Sequence, residues 1–235
     1  MTNPPAPVRI RFRPWLLAAV AVLWTVILLG FLFRFAELPS LTAYLGRLWR
    51  GPLVQLQIRA VWMGFHLVGL GLCSFLLARR LGVSATDLGL SFSALRNERN
   101  RIVWITCGCL PIVCALSFVP AFQRAYPMFR SSESGVFVTL LWLGIYALYL
   151  FSIELYFRGF LLALLSPLWG GFAVGIAMIP YVLTHRFGPE IVGSVPVGIL
   201  LGIWRQRCGS IIPGLLTHLL IATEIELCGL WQLHR

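Results

Sequence analysis

The chain has 235 residues, of which 59% are hydrophobic and 11% charged, and its mean hydropathy is +0.86. Soluble domains run near about 45–50% apolar and about 25% charged, so that class is excluded. Disorder, collagen and small disulfide scaffolds go with it, because the apolar content is too high and six cysteines are too few. At about 20 residues per span, the length suits a polytopic membrane protein of roughly six to eight helices. The net charge of +11 comes from 19 basic and 8 acidic residues, and every basic residue is an arginine. These arginines lie mostly between apolar runs, where membrane lipids and topology account for them. No nucleic-acid partner is expected.

The first 13 residues read as a cytoplasmic N-terminal tail carrying Arg9, Arg11 and Arg13. An uncharged run from Pro14 to Phe33 follows. It is too long for a signal-peptide core and has no small-residue cleavage site before Arg34, so it reads as a retained first span. A second run covers Ala60 to Ala78 and ends at Arg79 and Arg80. The loop Leu81 to Arg101, with Asp87, Arg96, Glu98, Arg99 and Arg101 among apolar residues, reads as an interfacial segment. A third span is predicted over Ile102 to Gln123. The fourth begins near Val136, meets its first charges at Glu154 and Arg158, and stays helix-compatible to about Leu165.

Ser166, Pro167 and the Gly170-Gly171 pair then signal a turn. Spans from Gly171 to His185, from Ile191 to Trp204 (closed by Arg205 and Arg207) and from Ile211 to about Leu230 complete the set. No repeat and no long linker divides the chain. The fold class is therefore all-α, polytopic and membrane-embedded: a single transmembrane domain over residues 14–235, built as one bundle of about seven helices. With the N-terminus in the cytoplasm, ten arginines fall inside and seven outside, with Arg59 ambiguous. This bias favours a cytoplasmic N-terminus and an outer C-terminus.

An ionisable side chain inside a span costs at least about 2.5–3.5 kcal/mol, so each is a functional candidate. Glu154, Arg158, His185 and His218 qualify. Glu154 and Arg158 are four apart and share a helix face. Counting from the turn near Pro167 and Gly170, Glu154 and His185 each lie about 20–22 Å along their helices, at a similar level. His218 stands only about 10–12 Å from its own turn, so tilt or a broken helix is needed to bring it level. A carboxylate and two imidazoles meeting in one pocket suit water activation, with the carboxylate as base and a histidine orienting water or stabilising an oxyanion. In that version Arg158 holds Glu154 ionised and oriented. The alternative is a divalent metal such as zinc on Glu154, His185 and His218, although no His-Glu-x-x-His motif signals it.

Other polar residues suggest less. His66 reads as a hydrogen-bonded packing residue and His234 as terminal and solvated. Cys107 and Cys109 point to different helix faces, and Cys73, Cys114, Cys208 and Cys228 show no pairing pattern. Glu226 lies within about 80° of His218 on a helix and is given a supporting role. No nucleotide-binding signature is present.

The segment Ile153-Glu154-Leu155-Tyr156-Phe157-Arg158-Gly159-Phe160 resembles the first motif, E-E-x-x-x-R, of the CPBP intramembrane proteases, the family of the type II CAAX prenyl endopeptidase. Tyr181-Val182-Leu183-Thr184-His185 is similar to the second motif, F-x-x-x-H, with Tyr181 in the aromatic, supporting place. His218 followed at plus four by Ala222 resembles the third, H-x-x-x-N. The resemblance spans about residues 136–230 and implies a catalytic core there, with Glu154, Arg158, His185 and His218 as active-site residues. It also implies hydrolysis of peptide bonds at or within the membrane, by a glutamate-activated water or by a metal. Substrates in the family include prenylated proteins and the C-terminal sorting tails of exported bacterial proteins. Two positions depart from the pattern: Ile153 replaces the first glutamate and Ala222 the final asparagine.

The leading expectation is an intramembrane endopeptidase of the bacterial inner membrane, acting on a transmembrane or lipid-modified protein. The competing ones are a catalytically silent scaffold, chaperone or immunity protein, and a transporter. The last lacks the expected inverted repeats.

Overall fold

The computed structural model describes residues 12–35, 38–49, 53–129, 136–185, 190–233 and 235. The tail as far as residue 11, His234, and the arginines at 50, 130 and 186 lie outside the described residues. Helices α1 (Pro14–Phe35) and α2 (Leu38–Leu48) are followed by α3 (Val54–His66), which continues through a π-helical stretch, Leu67–Cys73, into α4 (Ser74–Arg80). Next come α5 (Leu95–Leu116), the short α6 (Pro120–Ala125) and α7 (Val136–Glu154). A second π-helical stretch, Leu155–Leu161, joins α7 to α8 (Leu162–Trp169). A 3-10 turn over Gly170–Phe172 leads to α9 (Ala173–Leu183), α10 (Glu190–Cys208) and α11 (Ile212–Leu233). Among the described residues there is no strand, and the architecture is that of an all-α polytopic membrane protein.

Among the described residues, five helical runs are long and apolar enough to cross a membrane: Pro14–Phe33, Val54–Arg80, Leu95–Leu116, Val136–Leu183 and Ile212–Leu233. The 48-residue run from Val136 holds two of the expected spans, because the chain reverses at Gly170 (φ +53°) and Tyr181 of α9 returns to Phe157, ring centroids 5.2 Å apart. Helix α9 has 11 residues, about 16 Å, too short to cross unaided. Many outward side chains are large and apolar, among them Val26 on α1, Trp104 on α5 and Ile179 on α9, as a lipid-facing surface requires.

The centre of the bundle is the stretch from Ser152 to Leu165, in which every residue is buried. Such a helix, hydrophobic all round, needs neighbours on every side. Helix α1 covers one flank. Tyr156 donates its hydroxyl to Thr25 Oγ1 at 2.8 Å, and the Trp24 indole donates to Ser74 Oγ at 2.9 Å, tying α1 to both the central helix and α4. On another side Gly71 lets the first π stretch approach, with room for its missing Cβ only 3.3 Å from Ser152 Cβ.

Three boundaries differ from the sequence expectation. The second helix starts six residues before the uncharged run at Ala60, at Val54, with polar Gln57 and Arg59 on it. Helix α5 starts at Leu95 and ends at Leu116, not over Ile102 to Gln123. Its early turns carry Arg96, Glu98, Arg99 and Arg101, where Glu98 accepts from Arg101 at 2.5 Å and from the Trp204 indole at 2.8 Å. The segment after α4 is not merely interfacial: Val83 and Leu88 are fully buried. Its tip is pinned under α11, since Gly89 O accepts the Ile211 N–H at 3.0 Å and the Ser210 hydroxyl at 3.2 Å. Arg205 at the end of α10 donates to Asp87 O at 2.6 Å.

Gly89 has φ +81° and a Cβ there would stand 2.9 Å from Ile211 N, so both conformation and space demand glycine. Gly89→Ala is expected to lower stability by about 1–3 kcal/mol, read as a lower thermal midpoint of the detergent-purified protein. Gly30→Ala, with nothing within 4 Å of its Cβ position, is the control and is expected to leave the midpoint unchanged or slightly raised.

Candidate active site

Glu154 is completely buried where α7 passes into the second π stretch. π-helical turns in otherwise α-helical segments occur often at functional sites. The expected pairing along the helix is present: Arg158 Nη1 lies 3.1 Å from Glu154 Oε1. His218 Nδ1 of α11 donates to the same oxygen at 2.8 Å. Glu154 and Arg158 side chains are almost wholly enclosed, whereas the His218 side chain keeps 18% exposure. The imidazole is thus the member of the trio that faces outward.

The buried loop explains how His218 arrives level with Glu154 without a broken helix. The Leu88 carbonyl oxygen lies 2.9 Å from where a Gly159 Cβ would be, so the loop tip reaches as high as Gly159. Since Ile211 bonds to Gly89 in that loop, α11 starts there and not at the level of the Gly170 turn. From Ile211 to His218 is about 10 Å of helix, and from Gly159 back to Glu154 about 7–8 Å. The two side chains meet between them.

His185 makes its hydrogen bonds to its own helix end and none to Glu154 or His218. Its Nδ1 donates to Tyr181 O at 3.0 Å, closing the last turn after α9, and its ring lies 4.8 Å from that of Tyr181. Tyr181, given a supporting role, holds Arg158: the guanidinium carbon sits 4.0 Å from its ring centroid, a cation–π contact in a desolvated setting. His185 therefore reaches the pair through Tyr181 and Arg158.

Glu226 does not contact the site. Two turns beyond His218, it accepts the Met128 N–H at 2.9 Å and the Trp142 indole N–H at 3.1 Å. It thereby ties the chain after α6 to α7 and α11, with Phe129 packed on Trp142 at 5.7 Å. His66 has the packing role expected: Nδ1 donates to Trp62 O at 2.9 Å, and the ring lies against Trp62 and Tyr149.

Two buried polar atoms of the central pair have no partner: Glu154 Oε2 and Arg158 Nη2. Buried polar groups are nearly always satisfied, so Glu154 Oε2 and Arg158 Nη2 are open to a further hydrogen-bonding partner. Arg158 borders a small, partly open cleft shared with Phe157, Met178, Tyr181, Gly198 and Gly202. Gly198 and Gly202 form a small-x-x-x-small pair on α10. A Cβ at Gly202 would lie 2.7 Å from Val174 Cγ1, and one at Gly198 would lie 3.0 Å from the Tyr181 ring, so the glycines let α10 close on α9. Sequence reading passed over this pair, although its four-residue spacing is a recognisable packing signal.

The donor arrangement does not fit a divalent metal. Glu154 Oε1 is already engaged by Arg158 and His218, and the guanidinium beside it repels a cation. Among the described residues no group of three His, Cys, Asp or Glu side chains could hold a metal ion. The two departures from the expected motifs are filled by packing: Ile153 belongs to the main apolar core, and Ala222 to a second cluster with Trp142, Tyr146 and Leu150.

Residues 135–223 match the family model described as type II CAAX prenyl endopeptidase Rce1-like. No curated protein and no solved structure matches the chain.

The Glu226 geometry separates its role from that of the pair. Glu226→Ala leaves a buried backbone N–H and an indole N–H unpaired and is expected to cost about 2–4 kcal/mol. Glu226→Gln keeps one accepting oxygen but turns an NH2 toward the other donor, and is expected to cost about 1–2 kcal/mol, less than Glu226→Ala. Chemical denaturation in detergent checks both; an equal loss in the two variants would mean that the charge itself is needed.

Proposed function

Since residues 135–223 form an Rce1-like type II CAAX prenyl endopeptidase domain, consistent with the CPBP family, we propose that this integral membrane protein is an intramembrane endopeptidase with water as nucleophile. The family is one of proteases. The observation that carries the reading for this chain is the set of unpartnered atoms around the buried Glu154–His218 pair.

Glu154 and His218 share one hydrogen bond and act as a single acid–base unit. With the Nδ1 proton directed at the carboxylate, Nε2 of His218 is left as an acceptor on the more open side. The pair takes a proton from water as the oxygen attacks the scissile carbonyl, then returns it to the leaving amine. Arg158 compensates the buried carboxylate charge through Nη1, and its other amino group, Nη2, supplies a hydrogen bond to the developing oxyanion. Tyr181 holds the guanidinium in place from below, and His185 caps the helix turn that carries Tyr181. No step calls for a bound metal.

The substrate is a transmembrane or lipid-modified protein, including exported proteins that keep a C-terminal sorting tail in the membrane. The burial of the pair among apolar helices favours a helix delivered through lipid over a soluble peptide. The arginine distribution favours a cytoplasmic N-terminus and a site in the outer half of a bacterial inner membrane. A second reading, a silent scaffold or immunity protein, draws support from the apolar residues at positions 153 and 222.

Mapping of protein C-termini in membranes separates the two. Glu154→Gln and His218→Ala are each expected to reduce cleavage by about 10²–10⁴ while the protein stays at normal abundance, so that substrate tails persist. Arg158→Lys keeps a charge but loses the paired donors, and is expected to lower turnover by about 10²–10³. Termini identical to wild type in all three variants would establish the scaffold.

A further inference from the structure

The cysteines are free thiols, and two of them, without any spacing signal in the sequence, come together across the bundle. Cys114 Sγ on α5 lies 3.6 Å from Cys228 Sγ on α11, 114 positions apart in the chain. A disulfide needs about 2.05 Å between sulfurs, so the two thiols have still to close up, and they sit on two helices that already pack together.

Both thiols lie near the ends of their helices, at Leu116 and Leu233. Interfacial groups surround these ends. Gln232 donates to Ser117 Oγ at 2.9 Å, and Gln123 donates to Ser117 O at 3.1 Å. The Arg235 guanidinium carbon sits 4.2 Å from the Trp231 ring centroid, which in turn meets Phe118 at 5.8 Å. Tryptophan, arginine and glutamine at helix ends mark the headgroup level, so the pair lies within about two helical turns of water. Cys114 is exposed on the bundle surface. By the arginine distribution this is the outer end, where thiol oxidants act.

We propose that Cys114 and Cys228 form a reversible disulfide that staples α5 to α11. The oxidant is an external disulfide, small-molecule or protein. One cysteine thiolate attacks it, forming a mixed disulfide and releasing one thiol. The second thiolate attacks the first cysteine's sulfur, the Cys114–Cys228 bond forms, and the second thiol leaves. The two cysteines lose two electrons, the external disulfide gains them, and the two protons end on the departing thiols. Helix α11 carries His218 and Glu226, so the staple fixes the helix that completes the buried pair. It stands independently of whether that pair hydrolyses peptides.

The test uses the full chain in native membranes, treated with oxidised glutathione, alkylated, and digested with trypsin. The expected product links residues 102–124 to residues 208–235, with loss of both thiols to alkylation and full recovery after dithiothreitol. Fragment spectra of the wild-type linked peptide assign the bond to Cys114 and Cys228 directly. Cys114→Ser and Cys228→Ser are each expected to abolish the link, while Cys107→Ser, Cys109→Ser and Cys208→Ser retain it. Complete alkylation of both thiols after oxidant treatment, or a link that survives in either of the first two variants, overturns the proposal.

Discussion

The bundle is organised around one buried carboxylate. Glu154 lies with no solvent exposure in a helix that is apolar on every side, where an uncompensated charge would cost several kcal/mol. Compensation comes from two directions: Arg158 from the same helix, and His218 from the far end of the sequence. Stability does not explain the arrangement. A buried ion pair is at best near break-even against apolar packing, and this one leaves Glu154 Oε2 and Arg158 Nη2 without a partner.

Keeping that carboxylate company imposes a demand on the rest of the chain. His218 meets Glu154 only because α11 begins well inside the bundle, and α11 begins there because the loop after α4 is driven inward with Leu88 and Gly89 beneath it. The glycine at 159 admits the loop to the central helix, and the glycine at 89 turns it. Arg205 and Ser210 then lock α10 and the start of α11 to the same loop. The opposite end is built by a different device, in which Glu226 gathers the chain after α6 against Trp142. The two acidic groups with buried roles therefore divide the work: one carries free valences, the other is fully hydrogen-bonded and structural.

The spans were legible in the sequence because a 20-residue uncharged run has few other uses in a protein of this composition. Glu154, Arg158 and His218 were legible for the complementary reason, that charge inside such a run needs a purpose, and the four-residue spacing of the first two fixes a shared face. The contacts of His185 were not readable, because rotation about the helix axis and the width of the bundle are set by packing. The same limit hid the depth of the loop at residues 81–94, the approach of α10 to α9 at Gly198 and Gly202, and the meeting of Cys114 with Cys228. Helix α2 escaped because its 11 residues are too few and too mixed to register as a span.

The two departures from the motif pattern acquire a physical meaning once the neighbours are known. Ile153 sits in the main core beside Leu155 and Tyr156, and Ala222 sits against Trp142, Tyr146 and Leu150. A carboxylate at 153 would add a second buried negative charge in a region with one guanidinium already committed to Glu154. An amide at 222 would need a partner in an aromatic wall. Apolar residues at both positions leave a site with one carboxylate, one imidazole at hydrogen-bond distance and one guanidinium with spare donors. The 4.0 Å cation–π contact from Tyr181 holds the Arg158 guanidinium beside Glu154.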